Sequence, residues 1–188
     1  MPRIQNVAFA DIPLARHMAV DDNSMLIQIV DPGMPFAIPR HKFKEIHQFE
    51  FLDVEKNSIE IDSTGKQIDL SEFAITQEQA NQLVNLLQHA LNNDMDVVVH
   101  CVAGVCRSGA VCEVGVMMGF LDTKHFRSPN LLVKHHMMKK LGWTYEEDEP
   151  HTINGAVVDP DWIDDNEKVF TLAAARRHYR KVMNNDYT

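Results

Sequence analysis

The chain has 188 residues, of which 45% are hydrophobic and 24% charged, a balance that suits one globular domain with a sizeable core. The formal net charge is -9, and an acidic chain repels polyanions, so we expect neither nucleic acid nor an anionic membrane as a partner. No run approaches the ~18 apolar residues of a membrane span, and the N-terminus lacks a signal pattern. We therefore expect a cytoplasmic protein.

The first part of the chain alternates apolar runs with turn signals. Apolar runs of strand length predict three strands, and a run that follows Asp11 predicts a short helix. Pro and Gly mark the connections between them. The strands are predicted at 4–9, 25–30 and 46–53, the helix at 13–20, a turn at Asp31-Pro32-Gly33, and a surface loop at 35–44.

Residues 55–70 are polar and have no sustained period, which predicts a long loop, with a small hairpin around Gly65. Thr76-Gln-Glu-Gln79 then has the pattern of a capping box and predicts the start of a helix. Apolar residues follow at helical spacing, and Asn92-Asn93-Asp94 ends the run. The apolar positions of this helix are Ala80, Leu83, Val84, Leu87 and Leu91.

A buried strand, a loop and a helix are predicted next. Residues 96–99 form a β-branched run typical of a buried parallel strand, and residues 108–120 are apolar enough for a packed helix. The loop at 101–107 has Gly104 in its middle and a helix N-terminus at its end. Such a loop can point successive backbone N–H groups inward and bind an anion.

The C-terminal third is predicted to hold two more helices. Ser128-Pro-Asn130 is a start signal for a helix over 131–141, with Gly142 as its stop. Residues 143–165 read as an irregular segment and 167–183 as a helix. We interpret 1–188 as one α/β domain, in which 143–188 packs on a central, mostly parallel sheet flanked by helices.

The residues of the predicted loop suggest its chemistry. A helix N-terminus, converging N–H groups and a guanidinium favour a thiolate, so Cys101 is a candidate nucleophile. Arg107 carries a planar fork of donors that matches two phosphoryl oxygens. Strand alternation turns His100 away from Cys101, which favours a buried supporting residue that hydrogen-bonds and fixes the loop over a general base. Ser108 is predicted to donate a hydrogen bond to the sulfur, to cap the helix, or to do both.

The motif His100-Cys101-x-x-Gly104-x-x-Arg107-Ser108-Gly109 resembles the signature of the cysteine-dependent protein tyrosine phosphatases, and most closely that of their dual-specificity branch. The resemblance implies a phosphomonoester hydrolase with a Cys101 thiophosphate intermediate and no cofactor. It implies a phosphorylated protein or a small phosphoester as substrate and leaves the oligomeric state open. The phosphate-binding positions would be Val102, Ala103, Gly104, Val105, Cys106 and Arg107.

Expulsion of the leaving group needs a general acid, and the sequence offers Asp53, Asp62 and Asp69. The resemblance favours Asp69, because dual-specificity phosphatases carry their acid about thirty residues before the cysteine, ahead of the intervening helix. Asp69 stands 32 residues before Cys101. The Trp-Pro-Asp triplet of receptor-like tyrosine phosphatases is absent from the sequence, which disfavours a site restricted to phosphotyrosine.

Three alternative functions are open. A phosphatase of RNA 5′-phosphates or phosphoinositides is disfavoured because the loop side chains between Cys101 and Arg107 are uncharged. A rhodanese-like sulfurtransferase or an arsenate reductase also uses a cysteine in an anion-binding loop, but Ser108-Gly109 and Asp69 favour the phosphatase. A binding module without turnover would need a broken nucleophile, arginine or acid.

Two further questions are whether a second cysteine pairs with Cys101 and whether the histidines bind a metal. Low-molecular-weight tyrosine phosphatases have a second cysteine where this chain has Cys106, which by resemblance implies a reversible disulfide with Cys101; the alternative is a small buried filler. The ten histidines, including the adjacent His135 and His136, lack the paired spacing of a zinc site, so no metal is predicted.

Overall fold

The computed structural model describes residues 1–55, 58–143, 152–153 and 156–157. The chain divides into two compact units, Met1–Thr144 and Tyr145–Thr188. In the second unit, Thr152–Ile153 and Ala156–Val157 form an antiparallel pair. The predicted irregular segment over 143–165 falls mostly outside the described residues and the helix over 167–183 entirely so, and the packing of 143–188 on the body stays a prediction.

The first unit is an α/β fold built on a five-stranded parallel sheet. Its strand order is β3-β2-β6-β1-β7, and a separate antiparallel hairpin pairs β4 with β5. The strands are β1 Arg3–Ala8, β2 Ser24–Val30, β3 Glu45–Glu50, β4 Ile59–Ile61, β5 Gln67–Asp69, β6 Asp96–Cys101 and β7 Leu121–Asp122. The helices are α1 Gln77–Asn92, α2 Arg107–Met118 and α3 Leu131–Lys140.

The two faces of the sheet are covered differently. Helix α2 packs on β1 and β6 and contacts α1 and α3, so the helices lie over one face. On the other face, Val7, Leu26 and Val98 form a core cluster with Ile12 and with two residues of the 35–44 loop, Ala37 and Phe43. Irregular backbone needs polar partners, and Gln28 on this face donates to the carbonyl of Ala37 at 2.7 Å. The predicted loop at 35–44 is therefore confirmed, but it also supplies core residues.

The predicted helix over 13–20 is wrong. The chain forms a short 3₁₀ turn at Phe9–Asp11 and then further turns. Ala15 has a φ of 51°, in the left-handed region that an α-helix cannot include. The N–H of Arg16 instead donates to the carbonyl of Asp11 at 2.9 Å. This geometry lets Ile12 reach the core beneath the sheet.

The turn and hairpin predictions are confirmed. Gly33 has a φ of 82° and the N–H of Met34 donates to the carbonyl of Asp31, as in a type II turn. Gly65, with a φ of 83°, lies in the turn between β4 and β5. Strand β3 ends at Glu50, before the predicted Asp53, and the N–H of Leu52 donates to the carbonyl of Phe73 instead of to a neighbouring strand.

The helix boundaries follow the predicted signals closely. Thr76 caps α1 in a reciprocal capping box with Gln79, and Asn130 caps α3 through its side chain. Gly119 and Gly142, both with positive φ, end α2 and α3. No helix among the described residues is long and apolar enough to cross a membrane.

Because all five strands of the sheet are parallel, their carboxyl ends share one edge. Strand β6, which ends at Cys101, lies in the middle, between β1 and β2. The segments after β1, β2 and β3 therefore surround the loop that follows Cys101. This edge is where ligands bind in open parallel sheets.

Candidate active site

The loop of residues 102–106 connects β6 to α2, and its carbonyl groups accept hydrogen bonds from the segments around it. The carbonyl of Val102 accepts from the N–H of Phe9 at 3.2 Å, and that of Gly104 accepts from Asn6 Nδ2 at 2.7 Å. The carbonyl of Cys106 accepts from the N–H of Asn130 at 3.1 Å. None of the N–H groups of 102–106 donates to another described group. These amides are therefore available to an anion, as the sequence predicts.

Gly104 is required where the loop meets β1. Its φ is 71°, which favours glycine, and a Cβ placed there would lie 2.3 Å from the backbone carbon of Val7 and 2.4 Å from the nitrogen of Ala8. Neither backbone atom can move without disturbing β1. The predicted role of Gly104 in shaping the loop thus has a steric basis.

The sulfur of Cys101 lies at the base of this loop, and the side chain is only 2% exposed. Its Sγ is 3.2 Å from the Oγ of Ser108, which is in the first turn of α2 and fully buried. The N-cap position of α2 is occupied by Cys106, so Ser108 does not cap the helix. Of the two predicted roles for Ser108, the contact with the sulfur is the one that the structure contains.

Arg107 is 3% exposed and is held along one edge of its guanidinium. Its Nη1 donates to the carbonyl of Phe51 at 2.5 Å and lies 2.7 Å from Oδ1 of Asp31. Its Nε is buried and has no hydrogen-bond partner among the described residues. Two acceptors thus orient the guanidinium through Nη1, and the N–H of Nε remains available to donate a hydrogen bond.

His100 is fully buried, and the parallel register pairs it with Val7 and Gln28, on the face opposite the helices. Its ring meets the ring of Phe9 edge-on, with 5.6 Å between centroids. Burial lowers the pKa of His100 to about 4, and a polar contact with the Cys101 backbone offsets only part of this effect. Neither ring nitrogen has a partner at hydrogen-bond geometry in the described residues, so the predicted hydrogen-bonding role is not seen there. His100 supports the loop by packing on Phe9.

The carboxylates of Asp62 and Asp69 are exposed and held locally in the hairpin. Asp69 accepts from the N–H of Ser71 at 2.9 Å, and the hydroxyl and N–H of Ser71 hold the pKa of that carboxyl below its usual range. Asp62 accepts from Thr64 within the hairpin turn, and the Thr64 hydroxyl lowers its pKa first of all. Neither carboxylate is hydrogen-bonded to the 102–106 loop in the described part of the chain.

Asp53, by contrast, lies against the loop. Its Oδ1 accepts from Nδ2 of Asn130 at 2.7 Å. It also faces the thiol of Cys106, whose pKa is raised to about 12 by burial first and by the charge of Asp53 second. Of the three carboxylates that the sequence left open, Asp53 is the one with contacts to the loop.

Two residues of the site were missed from the sequence. Asp31 was noticed only as the start of a turn, and Asn130 only as a helix start signal. A usable signal existed for Asp31, because a polar residue at the carboxyl end of a strand beside the nucleophile strand reaches the same sheet edge. The described residues contain no cluster of His, Cys, Asp and Glu that could hold a metal ion.

Comparison with known proteins supports the motif. Residues 49–118 match a family model described as "Tc-R-P: Polymorphic toxin system, DSP-PTPase phosphatase". The matched segment includes the loop and all three candidate acids. No curated protein matches the chain.

Solved structures of phosphatases and a phosphatase-like protein are also similar to the chain. Human tyrosine phosphatase-like serine/threonine/tyrosine-interacting protein has 14% identity and a TM-score of 0.44, over 76% of this chain and 93% of that one. Human DUSP28 has 12% identity and a TM-score of 0.41, over 79% and 85%. Tk-PTP in the active form has 15% identity and a TM-score of 0.38, over 74% and 80%. All three TM-scores are low, and the family assignment depends on the match to the family model. The match over residues 49–118 confirms the resemblance carried by the signature, because it is to a phosphatase of the dual-specificity type.

Proposed function

We propose that this chain hydrolyses phosphomonoesters of proteins through a covalent thiophosphate on Cys101. The observation that carries the proposal is the loop that follows Cys101, in which carbonyls accept from the segments around the loop while the N–H groups of 102–106 have no partner among the described residues. The family match supports a phosphatase of this type. The assignment of a protein substrate, and of each residue's role, is our own.

In the first step, the Cys101 thiolate attacks phosphorus and the bond from phosphorus to the leaving oxygen breaks. The negative charge on the three equatorial oxygens is stabilised by donors that are oriented before the reaction, the loop N–H groups and Arg107. Asp31 and the Phe51 carbonyl support this role for Arg107, because they occupy Nη1 and leave Nε for a phosphoryl oxygen.

The leaving oxygen takes a proton from a carboxylic acid. The resemblance implies Asp69, which stays a prediction, while the contacts support Asp53, which accepts from Asn130 beside the loop. We assign the proton to Asp53, because the Asp69 carboxylate is engaged by Ser71 on the exposed hairpin. The two assignments predict opposite effects of Asp53→Asn and Asp69→Asn on substrates with poor leaving groups.

In the second step, a water molecule attacks the phosphoryl group and the sulfur of Cys101 leaves. The same carboxylate, now deprotonated, accepts a proton from that water. A departing thiolate is stabilised by a hydrogen bond, and the Ser108 hydroxyl at 3.2 Å supports that role. Inorganic phosphate is released and the thiolate is restored.

A protein substrate is supported by exposed apolar side chains in and near the loop. Val102 in the loop is 48% exposed and Phe126 nearby is 66% exposed, so apolar groups are available to contact a peptide. Phosphoinositides and RNA 5′-phosphates carry further negative charges, which the net charge of -9 disfavours. The sulfurtransferase and arsenate reductase alternatives are not favoured by the family match.

The test is turnover by the full chain of para-nitrophenyl phosphate, phosphotyrosine and phosphothreonine peptides, a phosphoinositide and a triphosphorylated RNA end. We expect turnover of the aryl phosphate and at least one peptide, with loss of at least ~10³-fold in Cys101→Ser because a hydroxyl is a much weaker nucleophile at neutral pH. Activity of that variant within about tenfold of wild type would contradict the thiophosphate mechanism. Preference for the RNA end or the phosphoinositide would contradict the protein substrate alone.

A further inference from the structure

We propose that Asn130 is a positioning residue for the reaction. It holds Asp53 beside the loop of residues 102–106, here called the phosphate loop, and determines which carboxyl oxygen carries the proton. This inference rests on the proposed function and deepens it. Asn130 lies well outside the signature and outside the segment matched by the family model, on the N-terminal end of α3. Nothing in the motif refers to it.

The side chain of Asn130 is 2% exposed and uses both of its polar atoms. Its Nδ2 donates to Oδ1 of Asp53 at 2.7 Å and to the carbonyl of Val54 at 3.0 Å. Its Oδ1 accepts from the N–H of Val133 at 3.0 Å. The amide orientation is unambiguous, because a carbonyl only accepts and a backbone N–H only donates.

Asn130 also contacts the phosphate loop through its backbone. Its N–H donates to the carbonyl of Cys106, the last residue of the loop. One residue therefore connects the end of the loop, the Asp53 segment and the first turn of α3. The two hydrogen bonds that its side chain donates hold residues 53 and 54, and with them the Asp53 carboxylate, next to the loop.

The segment around Asp53 is held from its other side as well. Arg107 donates to the carbonyl of Phe51, and the N–H of Leu52 donates to the carbonyl of Phe73. Those two contacts reach backbone groups of residues 51 and 52. The contact from Asn130 reaches the side chain of Asp53, which is titratable. A residue anchored at this point controls geometry at the proton rather than only the path of the backbone.

The hydrogen bond also makes the two oxygens of Asp53 unequal. An oxygen that accepts an N–H at 2.7 Å is the less favourable site for a proton, because in a carboxylic acid the carbonyl oxygen is a better acceptor than the hydroxyl oxygen. The proton of the acid form therefore resides on Oδ2. Oδ2 then donates the proton to the leaving group. In the second step Oδ2 accepts a proton from water, while Oδ1 keeps the hydrogen bond from Asn130.

A purely structural role for Asn130 predicts different behaviour. Asn is a good N-cap residue, and loss of a cap destabilises a helix without touching the chemistry. Asn130→Ser keeps an oxygen that accepts from Val133 but removes both donated bonds. Asn130→Asp also keeps the cap and sets a second carboxylate against Asp53. A matched cap control is Thr76→Ala in α1, because Thr76 caps its helix through Gln79.

The experiment measures kcat/KM for an activated aryl phosphate and for an alkyl phosphate with a poor leaving group, with pH profiles and melting temperatures. The proteins are the wild type, Asn130→Ser, Asn130→Asp, Asp53→Asn, Thr76→Ala and the double variant Asn130→Ser with Asp53→Asn. We expect Asn130→Ser to lose between roughly tenfold and 10²-fold on the alkyl phosphate, as for a misplaced catalytic group, and less than about threefold on the aryl phosphate. Asn130→Asp should lose at least as much and shift the acidic limb of the pH profile.

The double variant should lose no more activity on the alkyl phosphate than Asp53→Asn alone, because the two residues then act on one proton. Thr76→Ala should melt roughly 3 °C lower and keep wild-type leaving-group dependence. If Asn130→Ser matches Thr76→Ala in both respects, or if the double variant shows the product of the two losses, the positioning role is overturned while the phosphatase function stands. If the wild type turns over no phosphoester, the proposed function and this inference both fail.

Discussion

The phosphate loop and the β4-β5 hairpin both hold residues that the sequence picked out for catalysis, yet they are held in different ways. Residues 101–108 are mostly buried and are tied to groups far away in the chain, such as Asn6 and Asn130. The strands of the hairpin are exposed throughout, and the hydrogen bonds of the Asp62 and Asp69 carboxylates stay within four residues. Chemistry that needs a fixed geometry is thus better supported in the loop.

The difference teaches that spacing along the chain is weaker evidence for a catalytic role than spacing in the fold. Asp69 has the separation from Cys101 that the resemblance expects, but an 11-residue hairpin, residues 59–69, stands between Asp53 and α1. The hairpin lengthens the sequence between Asp53 and Cys101, while Asp53 itself lies three residues after β3 and contacts Asn130 beside the loop.

The largest expected effect is at the guanidinium of Arg107. Arg107→Lys should lower kcat/KM by about 10³-fold, the upper end of what loss of one pre-oriented donor costs, because a single ammonium nitrogen cannot stand at both the Nη1 position beside Asp31 and Phe51 and the Nε position. The matched control in the hairpin is Lys66→Arg, which should leave kcat/KM unchanged. Steady-state kinetics on the aryl phosphate checks both. Near-normal activity of Arg107→Lys would remove Arg107 from the site.

Substitution of one glycine in each region should change the free energy of unfolding by different amounts. Gly104→Ala combines a positive φ with a Cβ at 2.3 Å from the Val7 backbone and should lower the free energy of unfolding by about 3 kcal/mol. Gly65→Ala has a similar φ but no atom within 4 Å, and should cost about 1 to 2 kcal/mol. Urea unfolding of both variants gives the comparison. Equal losses would mean that the contact with β1 has no energetic weight.

The carboxylates test the same comparison through catalysis. Asp53→Asn should reduce turnover of an alkyl phosphate by about 10²-fold and that of an activated aryl phosphate far less, because only the poor leaving group needs a proton. Asp69→Asn and Asp62→Asn should change both rates by less than about threefold. A reversed result, with the selective loss in Asp69→Asn, would restore the acid that the resemblance implies.

The smallest effect concerns the pH dependence of stability. The pKa of His100 is about 4 in the fold and 6.5 when unperturbed, so the unfolded chain takes up a proton first as the pH falls. Stability from this group is therefore complete above pH 6.5 and is lost as the pH falls from 6.5 to 4, by about 2 kcal/mol between pH 7 and pH 5.

His100→Phe should flatten this part of the profile, since a neutral ring of similar shape keeps the contact with Phe9. Asp62 and Asp69 have pKa values below 3.8 and give no comparable change in this range, so Asp62→Asn is the matched control. Denaturant unfolding at several pH values measures the slopes. Identical slopes for wild type and His100→Phe would mean that His100 is not buried in the neutral form.

The sequence by itself determined the local parts of this protein. Thr76 and Asn130 were recognised as helix starts, Gly65 and Gly33 as turns, and the β-branched run before Cys101 as a buried strand, because caps, turns and periodicity depend on residues close together in the chain. The spacing of Cys101, Gly104, Arg107 and Ser108 predicted the loop for the same reason. All four lie in one connected turn, so their sequence spacing is also their spatial arrangement.

Only the tertiary structure decided which distant residues meet that loop. Asp31 and Asp53 reach it because parallel strands bring their carboxyl ends to one edge, and Asn130 reaches it because α3 packs beside α2. The helix predicted over 13–20 is wrong for a related reason, because this stretch packs Ile12, Met18 and Val20 against the core cluster through turns, with Ala15 at a positive φ. Strand order and helix packing are set by long-range burial, which no short pattern of residues records.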